Sequence, residues 1–323
     1  MADPSGQIGA GAAQFGLGLP GGDRPRLPTC LVLGNFDGVH LGHQALLRAA
    51  RVEADRLGLA LTAVTFEPHP RTVLDPGLDF RLLSTFDLRR RLLAANGVDR
   101  VWVVPFDERL RGLSPDAFMG RLRDQLEIGS MVVGPGFSIG KGAEGRLEFL
   151  TGYAAEAGFP VRMVEEQVWR GLPVSSSAIR AQLVQGDLGA VQEMLGRPLQ
   201  VLGQVVHGEG LGHQLGFPTA NIRFAPNQAL PGDGVYVMDL TPEGGGPLAA
   251  VGSIGSRPHF GGEQRLFEVH CLEAPGDLYG REVLAGVLRR LRPQAAFSSD
   301  QALVEQMARD AEAAAAYFAS LPQ

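Results

Sequence analysis

The chain has 323 residues, 45% of them apolar and 20% charged, which is enough material for two globular domains with separate cores. A net charge of -6 argues against a surface built for nucleic acid, and no stretch reaches the roughly 18 apolar residues of a membrane span. The two cysteines, Cys30 and Cys271, stand far apart without Cys/His ligand spacing, which argues against a disulfide framework or structural zinc and fits a reducing cytoplasm.

Residues 1–28 are glycine-rich, carry no basic residue before Arg24 and read as a flexible tail. From 29 to 186, strand and helix signals alternate. Strands are expected at 31–36, 59–66, 101–106, 131–134 and 161–166. Helices are expected near 41–57, 85–96, 114–126 and 146–158. Unbroken apolar strands alternating with helices predict a parallel sheet covered on both faces. Ligands of such sheets sit outside the C-terminal strand ends. Two glycine-ended helical stretches follow, 175–186 and 187–196, and Arg197-Pro198 breaks the pattern. Residues 187–199 read as a linker. Beyond 200 the signals turn to short β segments separated by Gly/Pro turns, at 201–208, 234–240, 248–255, 266–273 and 282–291. That pattern predicts an antiparallel β-barrel over 200–323, closed by one amphipathic helix near 300–320.

The block Gly34-Asn35-Phe36-Asp37-Gly38-Val39-His40-Leu41-Gly42-His43 joins a buried strand to a helix. Its glycines let backbone approach a ligand. The helix N-terminus offers N–H groups to a phosphate. His40 and His43, three apart, share a face and can donate hydrogen bonds to phosphate oxygens that gain charge. By itself the pair also reads as helix caps or metal ligands. Lys141 is the one lysine among 29 basic residues, so phosphate contacts fall mainly to arginine and backbone N–H groups.

This block resembles the HxGH nucleotidyltransferases. Its longer form, GNFDGVHLGH, is similar to the FMN adenylyltransferase module of prokaryotic bifunctional riboflavin kinase/FAD synthetases. TFEPHP (65–70), the segment 97–119 and VSSSAIR (174–180) match the same family in order. The resemblance implies a Rossmann-like first domain with His40 and His43 catalytic. It implies ATP contacts from Gly34, Phe36, Asp37, Gly38, Gly42, Ser175, Ser176, Ser177 and Arg180, and flavin contacts from Phe66, Pro68 and Phe137. One departure stands in 133–145, where Gly136 replaces an Asp or Asn and Ile139 an aromatic residue.

Later residues extend the resemblance. Pro218-Thr219-Ala220-Asn221 is similar to the PTAN motif of riboflavin kinases, after the glycine run 207–216. Thr219 and Asn221 alternate in an extended segment and face one side, where they would hold Mg²⁺. The family implies ATP contacts from Gly208, Gly210, Gly212, Gly216, Thr219 and Asn221. Glu268 would be the general base for the riboflavin 5′-hydroxyl, with Tyr279 and Arg292 touching flavin. Leu211, His213, Ser253, His259, Cys271 and Ala274 depart from the family pattern.

The chain is thus expected to make FMN from riboflavin and FAD from FMN, with ATP as co-substrate and Mg²⁺ as metal. Its partners would be riboflavin, FMN, FAD and ATP, with no nucleic acid or membrane, in a cytoplasmic monomer or weak homo-oligomer. Other readings are one retained activity beside a degenerate barrel, or a flavin sensor without turnover. A pure binder has no need of His40, His43, Thr219, Asn221 and Glu268 together. A cytidylyltransferase would leave the β domain unexplained.

Overall fold

The computed structural model describes the backbone of residues 14–17 and all of residues 28–208, 212, 215–256, 265–274 and 276–321; Gly210, Leu211, His213 and His259 lie outside the described residues. Two compact units divide the chain: Met1–Arg81 with Phe86–Ser176, and Leu82–Thr85 with Ser177–Gln323.

The first unit runs β1 (Gln14–Leu17), β2 (Thr29–Leu33), α1 (Leu41–Leu57), β3 (Ala60–Glu67), α2 (Pro70–Leu74) and α3 (Phe86–Ala95). It continues with β4 (Arg100–Pro105), α4 (Glu108–Arg111), α5 (Pro115–Gln125), β5 (Ile128–Val133), α6 (Leu147–Ala157) and β6 (Val161–Met163). The sheet order is β1-β4-β3-β2-β5-β6, with every pair parallel. Successive strands step outward on one side of β2 and then on the other. The switch point of the sheet therefore lies at the C-terminal end of β2, where open α/β sheets bind ligands. Leu31, Phe66, Phe118, Met131 and Leu150 form the core on one face of this sheet.

Three expectations are corrected here. Residues 14–17, read as part of a flexible tail, form β1 against the edge of β4. The strand expected over 161–166 stops at Met163, and a short hairpin follows, β7 (Val168–Trp169) and β8 (Leu172–Pro173). Its turn takes positive φ at both Arg170 and Gly171, the geometry that matches strand twist in a two-residue hairpin.

The third correction concerns the expected linker. After α7 (Ser176–Gln185), the helix expected over 187–196 forms as α8 (Leu188–Leu195), but it belongs to the second unit and is not a linker. Asp187 caps it by accepting from the Ala190 N–H, and Gly196 ends it in the left-handed region. Leu188, Val191, Met194 and Leu195 are buried. The Gln192 amide donates to the carbonyls of Val287 and Leu288. An apolar stripe at helical spacing packs rather than links, so α8 is part of the second unit, and the division falls at Ser176/Ser177.

The second unit is a closed barrel of β9 (Leu199–Val206), β10 (Ala220–Phe224), β11 (Gly234–Pro242), β12 (Leu248–Ser256), β13 (Arg265–Cys271) and β14 (Glu282–Arg292), all neighbours antiparallel. The terminal helix α9 (Asp300–Ala319) lays Ala314, Tyr317 and Phe318 on Val235, Val237 and Val251. Residues 82–85 join this unit through reciprocal backbone bonds, Leu82 N–H to Asn227 and Ala229 N–H to Leu82. Both cysteines are buried, and desolvation pushes both thiols up to about 11, so neither is a reactive thiolate near neutral pH. Among the described residues, no helix is long and apolar enough to cross a membrane.

Candidate active sites

The loop between β2 and α1 is held in an uncommon backbone form. Phe36, Gly38 and Val39 all have positive φ, a conformation that costs free energy at non-glycine residues and is retained where surroundings enforce it. Several bonds enforce it here. The Gly34 N–H donates to Val64 and the Gln44 amide to the Val39 carbonyl. The Asn35 carbonyl accepts from Thr65 Oγ1 at 3.3 Å and Arg89 Nη1 at 2.9 Å.

His40 caps α1, with its Nδ1 accepting from the His43 N–H at 3.4 Å. The capping role and the catalytic expectation are compatible, because an Nδ1 acceptor leaves the ring proton on Nε2, a donor. The His40 and His43 rings stack at 3.7 Å, and Phe36 tilts against His43. Gly42 sits in tight packing: a Cβ there would stand 3.1 Å from the His40 ring and 3.3 Å from the Val174 carbonyl. The second motif thereby lies against the first. Ser176 Oγ donates to the Asp37 carbonyl at 2.8 Å, tying the start of α7 to the loop.

Not every expected contact faces outward. Phe36 is fully buried and Asp37 is 1% exposed. A buried ring and a buried carboxylate shape the loop, and neither offers a donor to phosphate. Phe66 packs on Phe106 and Phe118 within the core. Pro68 is exposed, and Phe137 is half-buried at the core's edge. Ser175 is half-buried and Ser177 exposed; Ser177 and Arg180 lie on the part of α7 that groups with the second unit. Gly136 is exposed with open space around it, so nothing steric demands glycine there. Ile139 is buried and paired with Gly145, which explains an apolar residue at that position.

In the barrel, strand register assembles a row of side chains on one face. Asn221 lies opposite Glu268, Glu268 opposite Ser253, Ser253 opposite Val235, and Val235 opposite Arg292. A cavity of about 380 Å³ opens over this row. Thr219, Asn221, Glu268 and Arg292 line it together with His270, and Leu303, Met307 and Asp310 of α9 close one side. Gly212 also lines it, and a Cβ there would crowd Thr219 Oγ1 at 2.9 Å. A Cβ at Gly208 would collide with the Asn221 amide. Gly216 has φ +83°.

Two expected flavin contacts behave differently from each other. Tyr279 does not line the cavity and stacks on His207 at 4.0 Å. Arg292 lines it, with its guanidinium held by Asp310 through bonds of 3.0 and 2.7 Å.

A model of FAD synthetase matches residues 24–178 and a model of riboflavin kinase matches residues 195–318. The bifunctional riboflavin kinase/FMN adenylyltransferase of Escherichia coli (strain K12) is 35% identical over 91% of this chain and 94% of its own length. That of Pseudomonas fluorescens is 37% identical over 92% and 95%. This chain belongs to the bifunctional riboflavin kinase/FMN adenylyltransferase family. A solved Streptococcus pneumoniae structure, described as a macrolide-efflux protein, shares the fold at a TM-score of 0.80 and 29% identity, over 90% of this chain and 94% of that one.

Within the bifunctional riboflavin kinase/FMN adenylyltransferase fold, sequence reasoning missed four side chains. Arg89 and Glu67 pair beneath the β2–α1 loop. Asp310 holds Arg292. His270 bonds the Pro218 carbonyl through Nδ1 at 2.9 Å and so steadies the segment bearing Thr219. Two of the four carried a visible signal. Arg89 shares the buried stripe of α3 with Leu88, Leu92 and Leu93, and Asp310 lies between Met307 and Ala314 on the covered face of α9. A charge on an apolar helical stripe is buried at a cost unless paired.

Proposed function

We propose that the two reactions of this enzyme are divided between its two units. The loop Gly34–His43 carries adenylyl transfer to FMN, and the cavity face around Glu268 carries phosphorylation of riboflavin. The observation that supports this best is the row Asn221–Glu268–Ser253 on the wall of one cavity, in a unit separate from the stacked His40 and His43.

In the first reaction an FMN phosphate oxygen attacks the α-phosphorus of ATP. The new P–O bond forms as the bond to pyrophosphate breaks, so no catalytic base is needed. Negative charge grows on the phosphate oxygens. The N–H groups at the start of α1 and the imidazole N–H groups of His40 and His43 would receive it.

In the second reaction the riboflavin 5′-hydroxyl attacks the γ-phosphorus of ATP, Glu268 takes the hydroxyl proton and ADP leaves. The Thr219 hydroxyl and Asn221 amide oxygen are hard oxygen donors wrapped by the glycine backbone at 208 and 212, a set that suits Mg²⁺. Bound there, the cation would neutralise charge on the ATP phosphates. His270 steadies the donor segment, and Asp310 orients Arg292 toward the flavin. The half-buried Glu268 supplies the carboxylate that acts as base. We also place the enzyme in the cytoplasm, in keeping with its unpaired cysteines.

The test is a time course of the purified protein with riboflavin, ATP and Mg²⁺, with riboflavin, FMN and FAD separated by chromatography. FMN should rise first and FAD follow. Absence of either product refutes the corresponding half of the assignment.

A further inference from the structure

We infer that Arg89 is a positioning residue for adenylyl transfer, holding the β2–α1 loop in its reactive form from below. The inference rests on placing that reaction at Gly34–His43.

Arg89 comes from α3, 54 positions along the chain from its partner Asn35. Its side chain is 1% exposed. Nη1 donates to the Asn35 carbonyl at 2.9 Å, and Nη2 pairs with the Glu67 carboxylate at the end of β3. Thr65 Oγ1 donates to the same carbonyl. Asn35 directly precedes the positive-φ residues Phe36, Gly38 and Val39. The planar fork thus clamps the loop at the point where it leaves the sheet, between the ends of β2 and β3.

Stability alone is a poor reason for an arginine here. Its Nε is buried without a hydrogen-bond partner, and its partner Glu67 is 38% exposed, so solvent screens the pair and it offsets little of the cost of burying the guanidinium. A guanidinium can do what a leucine or methionine cannot, which is hold a carbonyl and a carboxylate at fixed relative positions. The loop that it holds places the stacked His40 and His43 and the first N–H groups of α1. Small displacements of such groups lower the rate of transfer more than they weaken substrate binding.

The experiment uses the full-length enzyme and reads both activities from one preparation. Riboflavin phosphorylation is the internal control for folding. Arg89→Met is expected to lower kcat for FMN to FAD about 100-fold, with the KM for ATP changed about threefold or less. Arg89→Lys, which keeps one donor and the charge, should recover part of that loss. Thr65→Val, which removes only the weaker donor to Asn35, should lower kcat about threefold. Riboflavin phosphorylation should stay near wild type in all three.

Unchanged FAD formation in Arg89→Met overturns the inference. So does an equal loss of both activities in Arg89→Lys, which would mark a residue needed only for folding. A His43→Ala arm separates the two levels of the argument. If His43→Ala also forms FAD normally, the site itself is misplaced; if it alone fails, only the role of Arg89 falls.

Discussion

Asn221 and Glu268 stand directly opposite each other on β10 and β13, and both line the barrel cavity. Paired positions across an antiparallel ladder bring side chains into contact range. An amide oxygen suited to a metal and a carboxylate suited to a hydroxyl proton are thereby delivered to one spot. Glu268→Gln keeps the size and removes the base. It should lower FMN formation at least about 100-fold, while FMN supplied directly still becomes FAD. Chromatography with each starting flavin checks this, and normal riboflavin phosphorylation would remove Glu268 from the mechanism.

His43→Ala tests the other unit. It removes a ring stacked on His40 at 3.7 Å and leaves the barrel untouched. FAD formation should fall about 100-fold, the usual scale for losing one donor to developing charge. FMN formation should persist. Equal loss of both activities in a folded mutant would contradict the division.

Asp310→Asn tests the link between α9 and the cavity. The carboxylate binds Arg292 through two nitrogens and accepts from the Gln306 amide. Losing the charge leaves Arg292 partly buried and poorly held. The KM for riboflavin should rise about tenfold, a cost of about 1.4 kcal/mol, with FMN adenylylation unaffected. Steady-state kinetics with each flavin decide the matter.

Asp239 predicts a pH dependence of stability. It faces Gly286 across β11 and β14 and accepts from the Gly286 N–H at 3.2 Å. Burial outweighs that bond and pushes its carboxyl up from 3.8 to about 6. The folded form therefore binds the proton more tightly than the unfolded chain. Its contribution is fully present below about pH 4 and is lost as the pH rises through about 6. Asp239→Asn removes the ionisation and keeps the acceptor. Thermal unfolding should show the variant stabilised relative to wild type by roughly 2–3 kcal/mol at pH 8 and by much less at pH 4.5. A pH-independent difference would refute this.

Much of the first site could be read along the chain because it is local. His40, Gly42 and His43 lie within one loop and one helical turn, so spacing alone brings them together. Apolar strand runs and helix caps such as Ser114 before Pro115 mark the elements of the parallel sheet for the same reason. The correction at α8 also has a local cause. Residues 187–199 looked like a linker because of Arg197-Pro198, while the apolar stripe of Leu188, Val191 and Leu195 determined their packing.

Sequence by itself determined most element types, the two-part organisation and the residues able to do chemistry, since each depends on neighbours a few positions away. Tertiary structure decided which residues distant along the chain meet. The register that sets Asn221 against Glu268 depends on which strands pair, and the clamp on Asn35 depends on α3 packing beneath the sheet. Long-range packing also withdrew Phe36, Asp37 and Phe66 into the interior, because burial is a property of the whole fold and not of a motif.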